Sequence, residues 1–116
     1  MRTTPVVTAG ELQVRLSPAE KIAALRGDLH IPLSAITSVQ VVPDALGAVH
    51  GMRAPGLSWP GVHKVGTWRT GHGSEFVSAR RGQAAVRVTL SGHRLSSLLL
   101  GTDDPEALAE QIRGGR

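Results

Sequence analysis

The sequence predicts a mainly β domain with seven short antiparallel strands and two short helices. Three observations carry this. Aliphatic and polar residues alternate in brief runs: Leu12, Val14 and Leu16 between Glu11, Gln13 and Arg15, and Val86, Val88 and Leu90 around Arg87 and Thr89. That period of two is the mark of a half-buried strand. Glycine-bearing turn words, Gly71-His72-Gly73, Arg81-Gly82-Gln83 and Ser91-Gly92-His93, separate the last four runs and read as three hairpins forming a meander. Two words, Ser17-Pro18-Ala19-Glu20 and Asp104-Pro105-Glu106, place a capping side chain before a proline at the first helical position.

Taken in order, residues 1–10 read as a loose start holding a short strand over Pro5 to Thr8. Glu11 to Leu16 is the first full strand. Ser17 caps a helix, Glu20 completes a capping box, and Gly27 ends it after Arg26. At little more than two turns it cannot stand alone in water and must dock through Ile22 and Leu25. Leu29, Ile31 and Leu33 mark the second strand, with Pro32 pointing to an unpaired edge. Ala35 to Val42 is the third. Its inward residues Ile36, Val39 and Val41 break the period between 36 and 39, which predicts a bulge near Thr37-Ser38. Val62 to Thr70, Glu75 to Arg80, Ala84 to Leu90 and Arg94 to Leu100 complete the set. The final helix spans 104–113, with Leu108 and Ile112 facing the core.

Between the third and fourth strands lies the densest stretch of special residues, Gly51 to Gly73. It holds both tryptophans, Trp59 and Trp68, and six glycines, at 51, 56, 61, 66, 71 and 73. Pro55-Gly56 and Pro60-Gly61 are the pairs a type II turn wants: proline fixes φ at the second position and glycine takes the positive φ of the third. Arg53 to Gly61 is therefore expected as two linked turns with Trp59 between them. A tryptophan so placed either folds back as a lid over the core or stays out as a contact residue. Burying it removes about 150–250 Å² from water, which favours the lid in a chain with one phenylalanine and no tyrosine. On the following strand Lys64, Gly66 and Trp68 share one face, and Val65, Thr67 and Arg69 the other.

Length and composition bound the rest. A chain of 116 residues, 41% of them apolar, is one domain with a core built from aliphatics. It has no cysteine, which removes disulfides, thiolate metal sites and cysteine nucleophiles. No stretch reads as a signal peptide or reaches the ~20 apolar residues of a membrane helix, so a cytoplasmic setting is expected. Arginine strongly outnumbers lysine, with alanine and glycine abundant, a usage like that of high-GC bacterial genomes. The charge is uneven. Residues 45–102 carry seven bases, Arg53, Lys64, Arg69, Arg80, Arg81, Arg87 and Arg94, against Glu75 alone. Such a middle attracts phosphate, nucleic acid or an anionic membrane, or is simply the solvated face of alternating strands.

Several words also carry a family likeness. Gly51-Met52-Arg53, a following Pro-Gly pair, Gly66-Thr67-Trp68-Arg69, the preamble Ile31 to Val39 and the Asp104-Pro105 helix start together resemble bacterial members of the pleckstrin-homology-like (PH-like) superfamily over residues 11–113. The resemblance implies a PH-like seven-stranded antiparallel β-barrel or sandwich of two near-orthogonal layers, capped at one end by the C-terminal helix. It implies a binding or scaffolding domain. Phosphoinositide binding does not carry over: the chain has a capped helix, with only Lys21 and Arg26 as bases, where lipid-binding members cluster bases around their first hairpin.

Histidines stand at 30, 50, 63, 72 and 93. None shows a metal-ligand spacing on a helix or a neighbouring carboxylate in a ligand pattern. No phosphate-binding glycine loop and no nucleophile elbow is present. The sequence therefore predicts a protein that is not an enzyme and needs no metal or cofactor. It predicts a domain for protein–protein interaction or self-association, through a surface including Arg53, Trp59, Lys64, Trp68, Arg69, Arg80 and Arg81. The alternative is peripheral binding of an anionic membrane lipid or nucleic acid through the same bases.

Overall fold

The run Leu98-Leu99-Leu100 is wholly buried on both its faces, and the larger sheet is built outward from it. A computed structural model of the chain describes residues 4–8, 10–16, 28–48, 52–59, 63–71 and 73–115. The strands are β1 (Thr4–Thr8), β2 (Glu11–Arg15), β3 (Leu29–Pro32), β4 (Ile36–Val42), β5 (Met52–Trp59), β6 (His63–Thr70), β7 (Gly73–Arg80), β8 (Ala84–Leu90) and β9 (Ser97–Thr102). One helix follows, α1 (Pro105–Gly115). The helix expected over 17–26 lies outside the described residues.

The strands form two open sheets, a three-stranded one in the order β1-β2-β3 and a six-stranded one in the order β4-β8-β9-β7-β6-β5. Alternation fixes which side chains meet between them. Leu12, Val14 and Ile31 of the small sheet share a core with Val65, Phe76, Val86, Val88, Leu98 and Leu100 of the large one. Leu108, Ala109 and Ile112 of α1 join the same core, spaced so that one face of the helix is apolar. Asp104 caps α1 by accepting the Ala107 N–H at 3.1 Å. The expected mainly β architecture with a C-terminal helix is present, and the bulge expected near Thr37-Ser38 is there as a register shift between Ile36 and Ser38.

Three expectations are corrected. The turn expected at Pro55-Gly56 is absent: Met52–Trp59 is a strand paired antiparallel to β6, while the second expected turn, at Pro60-Gly61, lies outside the described residues. Pro55 cannot donate to a ladder, and the register shifts between Arg53 and Gly56 to absorb it. An edge strand with one neighbour tolerates this. Second, the last four strands are not a meander. β7 and β8 do not pair with each other; β9 lies between them, antiparallel to β8 and parallel to β7. The sheet is therefore mixed rather than wholly antiparallel, and the strands exceed seven. A strand apolar on both faces belongs in the middle of a sheet, and β9 carries three consecutive leucines, Leu98 to Leu100, each fully buried. Third, the two sheets do not close into a barrel. β9 also begins at Ser97 rather than Arg94, after the bends of residues 91–96.

The insertion of β9 puts a steric demand on Gly101. There β9 passes beneath the 81–83 turn, where a Cβ would meet the Gln83 side-chain oxygen and stand 2.9 Å from the Ser78 carbonyl oxygen. Gly101→Ala is expected to destabilise the fold by about 1–3 kcal/mol through overpacking. Gly114→Ala, in open space near the end of α1, is expected to be neutral or to stabilise by up to about 1 kcal/mol through helix propensity. Chemical denaturation of the two variants against the parent checks both.

Candidate functional site

The outer face of the six-stranded sheet, away from the small sheet, carries a second core. Trp68 of β6, Val77 and Ala79 of β7, Leu99 of β9 and Ala85 of β8 are covered there by Ala45. Ala45 leads into a short 3-10 turn, Leu46–Ala48, and its N–H donates to the Gln83 carbonyl at 2.8 Å.

Within this apolar surface sits a charged cluster. Glu75 of β7 is 2% exposed. Arg87 of β8 reaches across β9 and grips both its oxygens, Nε to Oε2 at 2.9 Å and Nη2 to Oε1 at 3.2 Å. The Ser97 hydroxyl donates to Oε2 at 2.8 Å. Arg87 Nη2 also donates to the Ala48 carbonyl at 2.6 Å, holding the 3-10 turn onto the sheet. A buried carboxylate is tolerable only with such partners. This cluster was not foreseen among the candidate residues. Its signal was Glu75 itself, the lone acid among the bases of 45–102.

The seven residues expected to form a surface are divided by the fold. Trp68 is 4% exposed and fills the second core, so its ring is packing rather than contact surface. Arg53 is paired in register with Trp68, and Trp68 with Glu75. Trp59 is paired with His63, and His63 with Arg80. Arg53 and Trp59 therefore stand at opposite ends of β5, a strand and not a loop; their side chains lie outside what is described, and with them the choice between lid and anchor. Lys64 is half-buried, next to Ala79 in register. Arg69 is exposed on β6 beside Ser74. Arg80 and Arg81 are exposed where β7 turns away, and both line a cleft of about 420 Å³.

A second cleft, of about 300 Å³, opens between the sheets and includes His30, Ser74, His93 and Arg94. His30 Nδ1 lies 3.0 Å from Glu11 Oε1. That hydrogen bond is the main reason the Glu11 carboxyl sits below its ordinary range, with the Gln13 amide adding to it. The Leu95 N–H donates to His93 Nδ1 at 3.1 Å, which places the proton of the neutral ring on Nε2 and removes Nδ1 as a ligand. Among the described residues no three of His, Asp and Glu gather as a metal site. His50 and His72, and the side chain of His63, lie outside them.

The remaining sheet edges differ in how open they are. β1 carries Pro5 and β3 carries Pro32. Arg113 of α1 donates to the Val39 carbonyl of β4 at 2.8 Å. β5 is the other outer strand of the large sheet, and beyond its bulge Gly56 to Trp59 run in unbroken register with His63 to Gly66.

Two outcomes follow from this geometry. Arg87→Ala leaves the Glu75 carboxylate buried and uncompensated and is expected to cost about 3–5 kcal/mol, whereas Glu75→Leu with Arg87→Met together is expected to cost much less; urea unfolding of the single and double variants measures the difference. Because the folded-state pKa of Glu11 is lowered, its stabilising contribution is full above the unfolded-state value and fades as pH falls through the folded one. Glu11→Gln is thus expected to narrow its stability gap to the parent as the pH of unfolding is taken down through the carboxylate range.

Comparison with protein-family models, with curated proteins and with solved structures returned no match for this chain.

Proposed function

We propose that this chain is a non-catalytic binding domain that joins a protein partner, or a second copy of itself, by strand addition along the outer edge of β5. One observation carries the reading: β5 ends the six-stranded sheet, and Gly56 to Trp59 continue in regular register past the bulge. An extended segment laid along such an edge gains main-chain hydrogen bonds without remodelling the core. Of the other outer strands, β1 carries Pro5, β3 ends on Pro32 and β4 is engaged by Arg113. The likeness to PH-like domains supports the same role, a sheet-based scaffold capped by a C-terminal helix; the parallel pairing of β7 with β9 departs from the wholly antiparallel layers of that likeness.

A second reading rests on the exposure of Arg69, Arg80 and Arg81: peripheral attachment to an anionic membrane lipid or nucleic acid. Binding of this kind weakens steeply with salt, whereas strand addition does not depend on it.

Backbone direction in an antiparallel strand alternates, so of Leu57 and Ser58 one N–H points to β6 and the other outward. Leu57→Pro and Ser58→Pro are therefore expected to differ. One breaks the ladder and destabilises the sheet; the other leaves the fold intact and abolishes self-association in light scattering or capture of the partner. A parent that is monomeric, with no partner sensitive to either substitution, would sink the strand-addition reading. Retention on anionic vesicles or heparin at low salt, lost on Arg80→Ala with Arg81→Ala, would favour the second.

A further inference from the structure

We propose that the cleft beside the 81–83 turn binds a small zwitterion, a molecule carrying an ammonium and a carboxylate in the manner of a free amino acid. The site is separate from the β5 edge and does not rest on that reading.

The cleft holds about 420 Å³, within the range of small-molecule sites. Its walls carry opposite charge. Arg80 and Arg81 stand on the side where β7 turns toward β8, and Thr102, Asp103 and Asp104 on the side where β9 leads into α1. The two sides are tied by the Gln83 amide, which donates to Asp103 Oδ1 at 3.3 Å. The geometry of the acidic side is fixed by short local bonds. Asp104 Oδ1 accepts the Ala107 N–H at 3.1 Å, and the Asp104 N–H donates to the Thr102 hydroxyl oxygen at 3.2 Å. Each aspartate thus has one oxygen engaged and a second oxygen not used in these bonds.

What points to a ligand is that the opposite charges share the cleft without meeting. Among the described residues neither guanidinium pairs with either carboxylate. Four charged groups lining one cleft, two of each sign, are poorly suited to a lone anion, which the aspartates repel, and to a lone cation, which the arginines repel. A zwitterion satisfies both walls at once: its carboxylate accepts from the guanidinium fork, a geometry arginine favours, and its ammonium donates to the free aspartate oxygens. The hydroxyl of Thr102 and the Gln83 side chain remain to bond a polar substituent.

The test is a titration of the whole chain followed by amide chemical shifts in heteronuclear NMR. The probes are L-glutamine and γ-aminobutyrate as zwitterions of different span, and acetate, inorganic phosphate and ethylammonium as single charges. Saturable shifts are expected at residues 80–83 and 102–104, with at least one zwitterion bound about tenfold more tightly than any single-charge probe, since each charged hydrogen-bonding arm contributes on this scale. Arg81→Ala, on the exposed turn, and Asp103→Asn, whose amide oxygen can still accept from Gln83, are each expected to weaken that binding about tenfold while leaving the dispersion of the spectrum unchanged. Non-saturable shifts with both zwitterions would overturn the proposal. So would phosphate or acetate binding as tightly as the zwitterions, which would instead mark the arginines as an anion surface, or ethylammonium doing so. Neither result bears on the β5 edge, which the proline variants test independently.

Discussion

The burial of β9 on both faces is the constraint from which the rest of the architecture follows. Leu98 and Leu100 face the small sheet and α1, while Leu99 faces the second core with Trp68 and Ala85. A strand that hides apolar side chains on both sides needs neighbours on both edges and cover on both faces. β7 and β8 supply the edges. The small sheet and the helix cover one face, and the segment from Ala45 to Ala48 covers the other. The Glu75–Arg87 pair belongs to this arrangement. It crosses over β9 and fastens the covering turn by the Ala48 carbonyl, so a polar cluster secures an apolar layer. Such a pair contributes little net stability over an apolar replacement. What it fixes is the position of the turn.

Much of this was legible in residue order, and the rest for identifiable reasons was not. The alternation of Leu12, Val14 and Leu16, and of Val86, Val88 and Leu90, gave both the strands and their inward faces, because period two leaves no choice once one face is buried. The Asp104-Pro105 start of α1 is a local signal and was read locally. Long-range pairing is not local. Arg81-Gly82-Gln83 looks like any hairpin turn, and nothing in those residues says that a later strand will enter between its two arms; only the unbroken Leu98-Leu99-Leu100 run hinted at a central position. Pro55-Gly56 and Pro60-Gly61 are good turn words, yet pairing with β6 outweighed the local preference at the first of them, at the expense of a register shift.

The candidate site shows the same division. Arg80 and Arg81 are exposed because they stand where β7 turns toward β8, while Arg69, on the same face of β6 as the buried Val65, is exposed next to that strand's end. The fate of Trp68 was not foreseen, since one sheet face can meet solvent or a second layer, and the sequence alone does not tell which. Glu75, Arg87 and Ser97 come together from three strands whose order is not sequential, so their meeting is a product of topology. The fold also keeps its two candidate surfaces apart: one is the main-chain edge of β5, the other a charged recess where β7, β9 and α1 approach. A partner laid along the first need not cover the second.

The place of β9 has a bearing on how the chain comes to be folded at all. The strand at the heart of the large sheet is synthesised after every other described strand of the two sheets, its parallel partner β7 and antiparallel partner β8 included. Until Thr102 has left the ribosome, those two strands wait with their facing edges unfilled, and the second core has no Leu99. Nascent chains of this topology therefore pass through a stage with open, sticky strands, and they complete the sheet only by threading contacts that are distant in sequence, a slow kind of assembly. A chain stopped between Leu90 and Ser97 would hold not a shorter version of the domain but two half-sheets, β4-β8 and β7-β6-β5, with an empty slot between them.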